Sequence, residues 1–176
     1  MTTQASILQR YSMADTAGRV DIICKHYSNF WGIIESFTEG LRYMIEKEKF
    51  LNNSEVIKWP VSNAAIIKEA IVTCDFSGHV FEGISRREAF QENAVLLKCM
   101  RQDYEVFNSL LSILGHDELR IFKCYLVGEK KISEIAEDEG IKYESVVQRV
   151  RRAKLKIKRQ MTVILEETED EMMQCG

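Results

Sequence analysis

Residues 132–154 read ISEIAEDEGIKYESVVQRVRRAK, and this stretch decides the architecture of the C-terminal third. Ile132, Ile135 and Ala136 share one side of a short helix, and Gly140 can take the left-handed backbone that ends one. Ile141 and Lys142 make a turn. From Tyr143 onward Val146, Val150, Ala153 and Ile157 recur at steps of three and four, the inward face of a longer helix. Upstream, Asp117 is placed to cap a helix whose Leu119, Phe122 and Leu126 share a face and which stops near Gly128. The order is helix, helix, tight turn, helix.

Charge is segregated onto the last of these helices. Between Lys142 and Gln160 stand eight cations (Lys142, Arg149, Arg151, Arg152, Lys154, Lys156, Lys158 and Arg159) and one acid, Glu144, a local charge of +7 in a chain of net charge −3. The solvated face of an acidic protein normally mixes signs. One sign concentrated after a tight interhelical turn is what contact with a phosphate backbone requires. With the apolar residues turned inward, the opposite side carries Glu144, Gln148, Arg151 and Arg152, flanked by Tyr143 and Val147, a set that can enter a major groove. Gln148 suits adenine, Arg151 guanine, Glu144 the cytosine amino group and Val147 a thymine methyl. Lys142, Ser145, Arg149, Arg152 and Lys154 suit phosphates. Leu155 also falls on the outward side, where contact with the front of the chain or with another subunit is expected. The plainer reading of the same helix is a basic surface docked on acidic groups of its own chain or of a partner.

The string from Ile132 to Val146, with its continuation Arg149-Val150-Arg151-Arg152-Ala153-Lys154, resembles region four of bacterial sigma factors. With a helical front and this module near its C-terminus, the chain is similar to the sigma-like late-transcription regulators of phages and mobile elements, of the ArpU and RinA types. The resemblance covers roughly Leu114 to Met161. It implies a helix-turn-helix of the winged-helix-like superfamily and a phage or mobile-element transcription regulator. It also implies double-stranded DNA as partner, with RNA polymerase as a second candidate. Tyr143, Glu144, Val147 and Gln148 match the family's base-reading positions.

Working outward, Val20, Ile23, Tyr27, Phe30, Ile34, Phe37, Leu41 and Met44 hold one helical face. The face makes either one long helix or a bent pair; Gly32 and Gly40 each weaken it by about 1 kcal/mol relative to alanine, which in the second case sets the break near Ser36 to Gly40. The aromatics Tyr27, Phe30, Trp31, Phe37 and Tyr43 read as core. A second face runs through Phe90, Leu97, Met100, Tyr104, Phe107, Leu111 and Leu114, with Leu96, Cys99, Val106, Leu110 and Ile113 on another side. Ser85 and Glu88 form a capping box at its start. Between them Asn52-Asn53-Ser54 ends the first element, Asn63 to Val72 suits a short helix, and residues 70–84 suit a small β-hairpin. The expected fold is mainly α: a helical front domain over 1–113 for dimerisation or polymerase contact, the DNA-binding module over 114–161, and an acidic tail over 162–176. Apolar faces this long exceed what one short hairpin can hide, which predicts a homodimer held by the front domain.

Several classes are excluded on composition. The 176 residues are 45% hydrophobic and 29% charged, as in an ordinary globular protein. No apolar run has the length of a membrane span or a signal peptide, so a cytoplasmic protein without a membrane partner is expected. Cys24, Cys74, Cys99, Cys124 and Cys175 form no CxxC, and His26, His79 and His116 have no partner at ligand spacing; reduced thiols and no metal follow. The glycines from Gly78 to Gly83 echo a phosphate loop, but Ile84 stands where its lysine is needed, so no nucleotide cofactor and no enzymatic activity are expected. Two rival classes are a DNA-packaging adaptor of small-terminase type and an inhibitor whose basic helix docks an acidic partner.

Overall fold

The period of three and four in the front of the chain becomes helix without interruption. The computed structural model describes residues 4–48 and 86–174. They form α1 (Gln4–Ser12), α2 (Thr16–Glu48), α3 (Arg86–Leu110), a single 3-10 turn (Leu111–Ile113), α4 (His116–Val127), α5 (Ile132–Glu139) and α6 (Tyr143–Gln174). Among the described residues every regular element is helical and there is no strand, in agreement with a mainly α chain. The expected hairpin over 70–84, the short helix from Asn63, the Asn52-Asn53-Ser54 stop and the Ser85 cap lie outside the described residues.

The chain divides into two compact units that are discontinuous in sequence. The first contains residues 1–13 and 29–102, the second 14–28 and 103–176. Residues 14–28 and 103–113 thereby fall in the same unit as the C-terminal helices.

In the first unit α1 buries Ile7, Leu8 and Tyr11, α2 buries Phe30, Ile33, Ile34, Phe37 and Leu41, and α3 buries Phe90, Ala94, Leu97 and Met100. The Tyr11 and Phe30 rings lie 5.7 Å apart at a tilt, within the range of favourable aromatic pairs. No break occurs between Ser36 and Gly40. Phe37 and Leu41 are fully buried there, and two such side chains outweigh a glycine's cost of about 1 kcal/mol. Of the aromatics read as core, Phe30 and Phe37 are buried, whereas Trp31 and Tyr43 are exposed. The Trp31 ring nitrogen donates to Glu35 at 2.8 Å and Arg101 lies over the indole at 5.8 Å.

In the second unit Val20, Ile23 and Cys24 share a core with Phe107, Leu110, Leu111, Leu114, Ile121, Phe122 and Leu126, and with the inward faces of α5 and α6. Leu110 of the second α3 face is buried, but Ile113 remains 44% exposed. The buried Asp103 carboxylate is paired with Arg19 at 3.5 Å, and the Tyr27 hydroxyl donates to Asn108 at 2.8 Å. Contrary to the expected cap at Asp117, α4 is capped two residues earlier, with Gly115 extended at its N-cap and no side-chain cap. Asp117 and Glu118 sit instead in the first turn, where their charge complements the positive end of the helix dipole. The helix ends as expected at Gly128, which takes φ +73°. The acidic run continues α6 through Gln174, so residues 162–174 extend the last helix.

Gly140 is held at φ +64°, and a Cβ built there meets nothing within 4 Å. The cost of a side chain at this position is therefore conformational alone, about 1–2 kcal/mol for a residue with a Cβ. Gly140→Ala is expected to lower unfolding stability by that amount in a denaturant titration. Gly140→Asn should cost less, because asparagine tolerates the left-handed region.

Candidate nucleic-acid interface

The turn between α5 and α6 is closed by two backbone bonds. Gly140 donates to Glu137 O at 3.2 Å and Ile141 to Ala136 O at 3.0 Å, the paired contacts of a Schellman end. At the other end of α5 the Glu134 carboxylate accepts the Lys131 amide at 2.6 Å, satisfying one of the donors a helix start leaves open. Arg120 of α4 reaches Glu139 at 2.5 Å, and Lys130 reaches Asp138 at 2.5 Å. Lys142 O then accepts from Ser145 at 2.9 Å and Val146 at 3.3 Å, which starts α6.

Packing fixes how α6 is turned. Ile135 and Ala136 of α5 are buried, as are Val146, Val150, Ala153, Ile157 and Met161 of α6, so the face expected to point inward does so. The remaining side of its first three turns is thereby presented. Glu144, Gln148, Arg151 and Arg152 are exposed together with Lys142 and Tyr143, while Val147, Ser145 and Arg149 are half-buried at the flanks. The Arg152 Nε donates to Gln148 O at 3.4 Å. Leu155 is 46% exposed on the same side.

Lys154 stands apart from the other residues selected for phosphate contact. Its side chain is 26% exposed and its ammonium lies 3.3 Å from the Asp21 carboxylate, over the Tyr125 ring at 5.7 Å. Lys158 donates to the same carboxylate at 2.6 Å, and Lys156 to Glu118 at 2.5 Å. Burial alone would raise the Asp21 carboxyl, yet the two ammoniums hold it below its ordinary value. Burial pushes Lys154 down, but Cys24, Tyr125 and Asp21 outweigh it and keep the ammonium above its usual value. Nearby, burial pushes the Cys24 thiol up to about 12, against the pull of Lys154, so this cysteine is a packed thiol rather than a reactive one.

The basic helix thus has two regimes. From Lys142 to Arg152 its charges face outward, and from Lys154 to Lys158 its lysines are matched by carboxylates of the same unit. Asp21, Glu118 and Tyr125 were missed in the sequence reading, because nothing local in the sequence links them to α6; Asp21 and Lys158 are 137 positions apart. Among the described residues no group of His, Cys, Asp and Glu could hold a metal ion, and no helix is long and apolar enough to cross a membrane.

Comparison of the chain with protein-family models, curated proteins and solved structures finds no match.

Val150 is the residue on which the presentation of α6 can be tested. An unpaired carboxylate there would have to be accommodated among Ile135, Val146 and Ala153, at a cost on the order of 3–5 kcal/mol. Val150→Asp is expected to abolish the cooperative thermal transition of the second unit. Val150→Ile, which keeps the packing apolar, should retain it.

Proposed function

We propose that the chain is a sequence-specific DNA-binding regulator of transcription, sigma-like in its C-terminal helix-turn-helix and of the kind encoded by phages and mobile elements. The observation that carries this reading is the outward face of α6. Gln148, Arg151 and Arg152 are exposed side by side, directly after a turn of two backbone bonds and over a buried apolar face. A helix so fixed can enter a major groove with its N-terminal turns, where bidentate Gln and Arg contacts discriminate bases and flanking cations meet phosphates. Lys142 and Arg149 are the flanking cations in this reading, and Tyr143, Glu144 and Val147 line the approach to the bases. RNA polymerase is a candidate second partner.

The paired lysines favour a second reading, in which α6 docks the acidic surface of another protein, since carboxylates already satisfy Lys154, Lys156 and Lys158. Selection of bound fragments from random duplex DNA separates the alternatives. Enrichment of a defined motif supports the regulator. Salt-dependent binding without sequence preference points to a DNA-packaging adaptor, and no binding at all to the protein-docking reading.

Single substitutions on α6 should divide by role. Arg151→Ala and Gln148→Ala are expected to lose about 1–3 kcal/mol of discrimination between the selected site and a scrambled one. Arg149→Ala should weaken both duplexes alike and reduce the salt slope by about 1. Equal losses on both duplexes for all three variants contradict the assignment.

One such module spans only a few base pairs, so two copies on half-sites about one helical turn apart supply the affinity that one lacks. The full chain is expected to be a homodimer by light scattering at micromolar concentration. A monomer there contradicts this part of the reading.

A further inference from the structure

Val147, Arg151, Lys154 and Lys158 follow i, i+4, i+7, i+11 and so lie along one stripe of α6. On the first half of the stripe Arg151 is exposed. On the second half Lys154 and Lys158 are both engaged by Asp21, at 3.3 and 2.6 Å. The stripe that meets a duplex at its start therefore meets a carboxylate of α2 farther along.

A carboxylate between two ammoniums satisfies them as a phosphate would, with anionic oxygens at hydrogen-bond distance. Asp21 is 50% exposed at its side chain, so water and salt screen these pairs and another anion can replace the carboxylate. Lys154 is additionally held over Tyr125, which keeps its ammonium on this side of the helix. Cys24, the remaining polar neighbour on α2, is buried and brings no competing charge at neutral pH.

We propose that Asp21 is an internal phosphate mimic, an autoinhibitory contact that occupies Lys154 and Lys158 and limits how much duplex backbone α6 engages. The inference rests on the DNA-binding reading and concerns the regulation of that same surface. With Asp21 in place, Lys154 and Lys158 are withheld from the duplex backbone. Without its charge, two more cations become available, and an anion that would repel the approaching strand is gone.

The test uses the full chain and a short mixed-sequence DNA duplex, titrated from about 50 to about 200 mM salt. Asp21→Asn and Asp21→Ser are expected to bind about 2- to 30-fold more tightly than the parent, with a salt slope steeper by about 2. On a Lys154→Ala, Lys158→Ala background the same substitutions should give no gain. Parental affinity and slope in both Asp21 variants overturn the inference while leaving DNA binding intact, and so does a gain that persists without the two lysines. Loss of helical circular dichroism in both variants also overturns it, by making Asp21 a structural anchor. If neither the parent nor the variants bind any duplex, the DNA-binding reading itself has failed.

Discussion

The second unit depends on one backbone conformation. Gly140 at φ +64° lets the chain reverse within three residues while the carbonyls of Ala136 and Glu137 still find donors. Those two bonds set the exit of α5, and the exit sets where α6 can begin. Val146 and Val150 can then pack on Ile135 and Ala136, and the rotation of α6 about its own axis is no longer free. Which side chains reach solvent follows from that rotation. The outward placement of Gln148, Arg151 and Arg152 is thus a consequence of a turn several residues away, more than of any preference of their own.

Electrostatics then divides the helix that packing has oriented. Eight cations on one segment would repel one another in an isolated helix, and neighbouring like charges at helical spacing are destabilising. Asp21 and Glu118 relieve this over the second half of the segment, where the helix lies against the rest of its unit. Over the first half no such pairing is seen among the described residues, and Glu144 belongs to the helix itself. The asymmetry separates the part of α6 whose lysines are paired within the unit from the part whose charged side chains face solvent. It also explains how a chain of net charge −3 can present a strongly basic local surface.

The parts of this arrangement that were legible in the sequence are those written in local spacing. Apolar residues at steps of three and four located α2, α3 and α6, and glycines following such runs located the ends of α4 and α5. The inward face of α6 and the exposure of Leu155 followed from the same period. What local spacing cannot express is competition between a residue's preference and its packing. Gly40 argued for a break that the buried Phe37 and Leu41 overrule. Asp117 looked like a cap, yet the helix gains its charge in the first turn instead. α1 escaped notice because Ile7, Leu8 and Tyr11 give barely two turns of pattern, too little to stand out from a polar leader. Least legible was Lys154, whose sequence neighbours are basic and whose structural neighbours are Asp21 and Tyr125.

The second unit takes residues 14–28 from near the start of the chain and residues 103–176 from its end. Val20, Ile23 and Cys24 are made well before the residues from Phe107 onward that share their core. Contacts such as Asp21 to Lys158, 137 positions apart, can form only after a long loop has closed, and loop closure must be met before such contacts contribute. Until residues from Phe107 onward leave the ribosome, the start of α2 has no core of its own in this unit. A ribosome stalled before Phe107 would therefore hold a nascent chain in which the apolar face at the start of α2 is complete in sequence and still without its cover.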